Sequence, residues 1–113
     1  MVHDHVGKLT AQPSHLAALL QRYRDEITVS WAEMTHNLPN TRYAEHPVAE
    51  IRAWLSQGVA AAVETLLTGS YEATESHLRA LSLTRLQMGF DISEVIEGLL
   101  LFREATMPFI QQD

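Results

Sequence analysis

Cysteine is absent from this chain of 113 residues. The absence excludes a disulfide framework, a zinc site with thiolate ligands and a cysteine nucleophile. Basic residues are also scarce: lysine occurs once, as Lys8, and the formal charge at pH 7 is −6. Because nucleic-acid binding needs clustered Lys and Arg side chains against the phosphates, this charge argues against a nucleic-acid partner.

Long hydrophobic runs are missing as well. The most apolar stretch, 95–102, is interrupted by Glu97, whereas a membrane-spanning helix needs about 20 apolar residues. Residues 1–13 carry no basic segment followed by an apolar one, as a signal peptide would. They mix polar residues without periodicity, so we expect a flexible N-terminal arm over 1–13 and one helical domain over 14–113. The sequence therefore predicts a cytoplasmic protein with no membrane partner.

The rest of the chain has the spacing of apolar residues that is typical of α-helices, and it has no run of alternating β-branched residues. Helix-start and helix-stop residues divide it into four segments, including a capping box at Asp91 and Glu94. The expected helices run from Ser14 to about Asn37, from Pro47 to Gly69, from about Tyr71 to Met88, and from Asp91 to a kink or end at Pro108. The sequence predicts an all-α domain, either a four-helix bundle or a globin-like fold.

The last two expected helices carry more apolar residues than one buried face requires. On the fourth, one face is expected to hold Ile92, Val95, Ile96 and Leu99. Further leucines extend the apolar surface around both helices, so that these helices either lie centrally in the domain or cover a partner. For the second alternative, we predict a homodimer interface formed by Leu83, Leu86, Leu100 and Leu101.

Two arginines fall where the helical periodicity expects apolar residues, at Arg85 and Arg103. A buried guanidinium needs a partner, because an unpaired charge inside a protein costs several kcal/mol, roughly. One interpretation is an ion pair with a carboxylate such as Glu64 or Glu97, or a buried stem with its head in water. The other is a bond to an anionic ligand or to a partner's carboxylate. With Trp54, an aromatic residue that could line a pocket, both arginines are the predicted ligand-binding residues.

Motifs for metal binding and catalysis are incomplete. Glu33 and His36 have the Glu-x-x-His spacing of di-iron bundles, but a second such motif is missing. His77 is placed for a haem ligand in a globin-like arrangement, yet a lone histidine near an apolar face is more commonly packed and hydrogen-bonded. We find no Ser-His-acid arrangement, glycine-rich phosphate loop or carboxylate pair of defined spacing. The sequence thus predicts no metal, no cofactor and no enzymatic activity.

One segment resembles a known family. A helix that ends in Arg-x-x-x-Gly, a short turn, and a helix with Ser-Glu-Val and Leu-Phe-Arg occupy residues 78–103. This pattern resembles the RsbRD-type N-terminal sensor domain, the input domain of bacterial stressosome co-antagonist proteins and of some sensor kinases. The resemblance spans about residues 14–110, and its specific residues are Arg85, Gly89, Ser93, Glu94 and Arg103.

The resemblance implies an all-helical sensory domain that dimerises and normally lacks haem. It also implies a downstream output domain or a partner signalling protein. On this basis the sequence predicts a non-enzymatic sensory input and dimerisation module of a bacterial cytoplasmic signalling protein, either a stress-response regulator or a sensor histidine kinase. The alternative is a helical sensor that holds a small anionic or apolar ligand in its interior.

Overall fold

The computed structural model describes residues 13–112, which form five α-helices and one short 3₁₀ helix. In chain order the elements are α1 (Pro13–Arg22), α2 (Arg24–His36), the 3₁₀ helix (Arg42–Glu45), α3 (Val48–Thr68), α4 (Glu72–Gln87) and α5 (Ile92–Gln112). The predicted all-α class is therefore confirmed for the described part of the chain. The expected N-terminal arm lies outside the described residues, except for Pro13, with which α1 begins. Over 13–112, no helix has both the length and the apolar character to span a bilayer.

The first expected helix is interrupted at Tyr23. Its backbone, with φ −106° and ψ 18°, leaves the helical range. The Tyr23 N–H still donates to the Leu19 carbonyl, and its own carbonyl still accepts the N–H of Ile27. The Tyr23 ring packs on Phe109 of α5, with the ring centres 5.0 Å apart. Thus α1 and α2 are one long helix with a local distortion where an aromatic side chain packs against α5.

The helix ends follow the sequence signals in most places. Gly69 ends α3 in the left-handed conformation, with φ +72°, and Gly89 follows α4 with φ +93°. Only glycine adopts these angles without strain, so both turns depend on it. The Ser70 hydroxyl accepts the N–H of Glu72 at the start of α4. Pro108 does not end α5, which continues through it to Gln112, so of the two predicted outcomes only a kink remains a prediction.

The long helix α3 is at the centre of the packing. It lies against α1, α2 and α4, while α5 packs chiefly on α2. In contrast, α4 and α5 contact each other much less than α4 contacts α3 or α5 contacts α2. With α1 and α2 counted together, four long helical segments therefore enclose the core. Between α4 and α5 the packing is the least extensive of the neighbouring long segments.

A buried polar contact joins α2 to α5 inside the core. The indole N–H of Trp31 donates to the carbonyl of Gly98 at 2.7 Å. A Cβ on Gly98 would lie only 3.2 Å from the hydroxyl oxygen of Tyr43. Glycine at this position therefore lets the Tyr43 ring approach the backbone of α5 on one side while Trp31 binds its carbonyl oxygen.

The buried threonines of α2 provide a test of the packing. Thr35 is fully buried, and its hydroxyl has no hydrogen-bond partner within residues 13–112. We expect Thr35→Val to raise the free energy of unfolding by about 1 kcal/mol, since it replaces an unsatisfied hydroxyl by a methyl group of the same shape. Urea denaturation measures the change.

Thr28→Val is the matched control. The Thr28 hydroxyl is also buried, but it donates to the carbonyl of Arg24 at 2.7 Å. Its replacement should lower the free energy of unfolding by about 1 kcal/mol. Equal losses in both variants would show that Thr35 has a polar partner.

Candidate functional site

Arg85 of α4 is buried, with 4% of its surface exposed. Its guanidinium carbon lies 3.8 Å from the centre of the Trp54 ring on α3. The expectation of an arginine inside an apolar face is therefore confirmed. However, its neighbour is the aromatic face of Trp54, and within residues 13–112 no ion pair joins it to Glu64 or Glu97. Two predicted ligand-binding residues thus face each other.

Aromatic rings from the 3₁₀ region surround this pair. The Tyr43 ring lies 4.6 Å from that of Phe90, and the His46 ring lies 5.1 Å from Trp54 and 5.8 Å from Phe90, between ring centres. Phe90 directly follows the left-handed Gly89, so the turn between α4 and α5 delivers it to the cluster. The cluster therefore connects α3 and α4 with the 3₁₀ segment before α3 and with the turn before α5.

The electrostatics of the cluster follow from burial. Loss of water lowers the pKa of Arg85, while the Tyr43 hydroxyl and the Glu50 carboxylate oppose that change. Burial likewise raises the pKa of Tyr43, against the effect of the Arg85 charge. Within the described residues, Nε of Arg85 has no hydrogen-bond partner, and Nη1 lies 3.7 Å from the sulfur of Met88. The guanidinium is thus held by the face of Trp54, by a side-chain hydrogen bond to the Tyr43 hydroxyl and by the weak contact with sulfur, which suits a structural role.

Glu94 connects the same corner to α5. Its carboxylate accepts the backbone N–H of Asp91, at 2.8 Å, and that of Arg42. The first bond is the glutamate half of the predicted capping box, and the second adds a link to the 3₁₀ helix that sequence spacing does not reveal. These backbone bonds, with the one from Asp91 foremost, lower the pKa of Glu94.

A cleft opens between α4 and α5, above α2 and α3. It has a volume of about 250 Å³. Its floor comes from α2 and α3 and its walls from α4 and α5. The lining residues are Trp31, Gly58, Ala61, Ala62, Thr74, His77, Leu78, Leu99 and Phe102. The cleft is therefore mostly apolar, with two aromatic rings and one imidazole.

His77 is packed, as the sequence predicts, but its hydrogen bonding is incomplete. Its Nε2 atom is buried and has no hydrogen-bond partner within residues 13–112. Burial, and then the charge of Arg85, lower the pKa of His77. Opposite the imidazole stands Gly58, where a Cβ would lie 3.4 Å from Nε2 and 3.1 Å from the Trp31 ring. The unpaired imidazole nitrogen is thus packed beside Gly58 and the Trp31 ring.

A second cavity of about 360 Å³ adjoins the first along α5. The two share the lining residues Ala62, Thr74 and Phe102. Arg103 lines the second cavity but is exposed, so the expectation that it would be buried was wrong. The reason is the orientation of α5, which turns Val95, Gly98 and Ala105 inward and leaves Arg103 on the outer side.

The predicted interface leucines divide into two groups. Leu83, Leu86 and Leu100 are exposed, whereas Leu101 is half-buried and packs against the core. The four residues predicted to share one face of α5 are not equally buried: Val95 is buried and Leu99 is half-buried, but Ile92 and Ile96 are exposed. The signal that could have located the inner face is Gly98, because a glycine in an apolar helix marks a close approach of another element.

The structure brings together no metal site from Glu33 and His36. Glu33 is exposed and His36 is half-buried on the same helix, α2. Residues 13–112 contain no group of three or more His, Asp or Glu side chains that could hold a metal ion.

Replacement of the buried guanidinium tests its structural role. Arg85→Met keeps most of the side-chain volume and removes the buried charge. We expect the free energy of unfolding to stay within about 1 kcal/mol of the wild type, because the lost cation–π contact and the lost hydrogen bond to Tyr43 are offset by the desolvation of the charge that is no longer needed. Arg79→Met, on the exposed side of the same helix, is the control. A loss of more than about 3 kcal/mol would show that Arg85 makes a charged bond inside the protein.

Acid sensitivity tests Glu94. The pKa of Glu94 is lowered in the folded state. The contribution of this carboxylate to folding stability is therefore complete above the pKa of the unfolded carboxyl, and is lost as the pH falls through the pKa of the folded one. Glu94→Gln should therefore be less stable at pH 7, by about 1–2 kcal/mol, and should lose less stability than the wild type between about pH 5 and pH 3. Urea denaturation at each pH measures both. Glu97→Gln, which removes an exposed carboxylate of α5, is the control, and equal pH profiles in all three proteins would contradict the assignment.

Comparison with known proteins adds no relative: no protein-family model, no curated protein and no solved structure matches this chain. Three of the five residues that carry the sensor-domain resemblance lie in the corner described above, namely Arg85, Gly89 and Glu94. A function for the chain therefore has to come from its own geometry.

Proposed function

We propose that the chain is a non-enzymatic sensory input and dimerisation module of a bacterial cytoplasmic signalling protein, such as a stress-response regulator or a sensor histidine kinase. In this proposal α1 and α2 act as one helix, so that the domain works as a four-helix bundle. One observation carries it: the last two helices expose an apolar surface that the rest of the described chain leaves uncovered.

This surface, the α4–α5 face, lies on two consecutive helices and the turn between them. Its members are Leu83, Leu86, Met88, Ile92, Ile96 and Leu100. The spacing of its α5 members by four residues places them on one side of that helix. Leu83 is 59% exposed and Leu100 is 68% exposed. Since a monomer rarely shows so many large apolar side chains on neighbouring elements, the face is suited to a partner.

A second copy of the chain is the proposed occupant of this face. The formal charge of −6 makes two copies repel each other, so the contact has to be made where charge is absent. A two-fold axis would place this face on its own copy, apolar against apolar, as in most homodimers. Burying each half-exposed leucine would then contribute about 1 kcal/mol.

The mechanism would use the two sides of α5. Its outer side carries half of the proposed dimer face, and its inner side meets α2 at the bond from Trp31 to Gly98. A signal that changes the packing of α2 against α5 would therefore alter the dimer contact and move the last helix. Such coupling requires two packings that differ by only a few kcal/mol, roughly.

A small-molecule sensor is the second candidate. The cavity beside Arg103 favours it, since its volume of about 360 Å³ is bounded mainly by apolar side chains. An apolar or anionic ligand there would have a hydrocarbon surface and one guanidinium at the rim. Binding to the folded state alone would raise the midpoint of thermal unfolding.

Two leucine substitutions test the dimer. The double variant Leu83→Glu/Leu100→Glu should be a monomer while keeping the helical circular dichroism of the wild type, because four carboxylates would face each other at the two-fold contact. Native mass spectrometry and light scattering measure the oligomeric state. The matched control is Leu67→Glu, at the end of α3 and outside the face, where the leucine is 58% exposed.

The wild type and Leu67→Glu should both be dimers at micromolar concentration. A monomeric wild type would reject the dimerisation module. A dimeric double variant would place the interface on another surface.

A further inference from the structure

We infer that the cavity beside Arg103 binds a carboxylate with an unbranched alkyl chain of medium length. The cavity holds the alkyl chain, and the Arg103 guanidinium binds the carboxylate at the rim. This inference deepens the small-molecule sensor of the proposed function, and it rests on that candidate for the biological role of binding. It adds the class of the ligand and its orientation along α5.

The cavity follows α5 over two helical turns. Phe102, Thr106 and Ile110 line it at every fourth residue, together with Arg103 and Met107. Phe102 and Ile110 are eight residues apart, which is about 12 Å along the helix axis. The volume of about 360 Å³ is near the lower end of the range for small-molecule sites, about 300–1,000 Å³. A long and narrow ligand therefore suits this cavity better than a bulky one.

Apolar side chains from three helices form most of the wall. Leu16 and Leu20 come from α1, Ala62 and Leu66 from α3, and Met107 from α5. Each methylene group that moves from water to such a wall raises the affinity about fourfold. The alkyl chain therefore supplies most of the binding free energy.

The threonine hydroxyls of the lining are already bonded within the protein. Thr65 and Thr74 share a hydrogen bond of 2.6 Å, and the Thr106 hydroxyl donates to the carbonyl of Phe102 at 2.7 Å. A polar group along the ligand would lose its bonds to water without gaining a free partner here. An alkyl chain without hydroxyl or amide groups therefore fits best.

Arg103 selects the head group, because it is the one charged residue of the lining. It is exposed, and within residues 13–112 it makes no ion pair. The planar guanidinium binds a carboxylate through two parallel hydrogen bonds, and at an exposed rim that carboxylate keeps much of its hydration. A doubly charged phosphate is disfavoured, because one guanidinium compensates one charge and the protein as a whole carries −6.

The bound ligand would touch α5 on both sides of Pro108. Phe102 and Met107 precede the proline, and Ile110 follows it. A ligand in contact with both parts would link the end of α5 to α1 and α3. Binding would therefore act on the last helix, which is the element that the proposed mechanism moves.

Three probes separate the alkyl chain from the head group. Hexanoate, octanoate and octan-1-ol are titrated into the full-length protein labelled with ¹⁵N, and the amide shifts are followed by NMR. Octanoate should bind about fifteenfold more tightly than hexanoate, since it buries two more methylene groups. The shifted amides should belong to residues that line the cavity. No binding of octanoate, equal affinities of the two acids, or shifts confined to the α4–α5 face would each overturn the inference.

Arg103→Gln tests the head group. It should weaken octanoate binding about threefold, the effect of one exposed ion pair, and leave the affinity for octan-1-ol unchanged. Arg52→Gln removes an exposed arginine of α3 outside the cavity, and as the matched control it should keep both affinities. Equal losses of octanoate affinity in the two variants, or no loss in either, would reject Arg103 as the carboxylate-binding residue.

Ile110→Glu tests the orientation of the alkyl chain. Ile110 lies two turns from Arg103 along α5, so a carboxylate there should weaken both octanoate and octan-1-ol about tenfold. Gln111→Glu adds the same charge at the exposed neighbouring position and should keep both affinities. Circular dichroism checks the helicity, and if Ile110→Glu has lost it, Met107→Gln takes its place with an expected loss of about threefold. Unchanged binding in the folded variant would overturn the placement of the alkyl chain.

The octanoate titration is repeated with Leu83→Glu/Leu100→Glu, whose substitutions lie outside the cavity. Retained affinity in this variant would support a site formed by one copy of the protein, and loss of affinity would reject it. A monomeric wild type that binds octanoate would reject the dimer and keep the ligand site. A dimeric wild type that binds no probe would reject the ligand site and keep the dimer.

Discussion

The hydrogen bond from Trp31 to the Gly98 carbonyl fixes how α5 lies on α2, and several other features depend on it. It sets the rotation of α5, so that Val95 and Ala105 face inward while Ile92, Ile96 and Leu100 remain outside. It also holds the Trp31 ring where it lines the cleft. Because an unpaired indole N–H in a core is costly, any movement of α5 has to keep this bond or replace it. The proposed signalling movement is therefore constrained at one point along the helix.

A second constraint acts at the end of the molecule where the loops meet. Arg85 lies on Trp54, and Glu94 holds two backbone N–H groups from separate segments. The two charged side chains are stabilised in different ways. The Arg85 guanidinium lies on the Trp54 ring and bonds the Tyr43 hydroxyl, whereas the Glu94 carboxylate accepts two backbone N–H groups. These contacts tie several segments together at this corner, whereas α4 and α5 otherwise contact each other little. A ligand or a partner would therefore act on the part of the domain that is free to adjust.

Much of the helical architecture was predictable from local signals. The glycine at 69 and the pairing of Asp91 with Glu94 act over a few residues, and the structure confirms both. Features that depend on distant contacts were not predictable. An example is the distortion at Tyr23, whose ring packs on Phe109 of α5. The burial of Arg85 could be inferred from periodicity, but its aromatic partner could not, since Trp54 is on another helix. The unpaired imidazole nitrogen of His77 has no sequence signal, because its burial depends on contacts with α2 and α3.

Pro108 gives α5 an uneven stiffness along its length. Lacking an N–H, it leaves the carbonyl four residues earlier, at Glu104, without its usual helical bond, although the helix continues to Gln112. Bending at this joint is therefore easier than elsewhere in α5, while the helical rise across it is kept. Bending at Pro108 would take up a sideways tilt of α5, whereas a shift along the helix axis would reach the residues after Pro108. The last helix is thus better built to transmit a piston-like displacement than a swing.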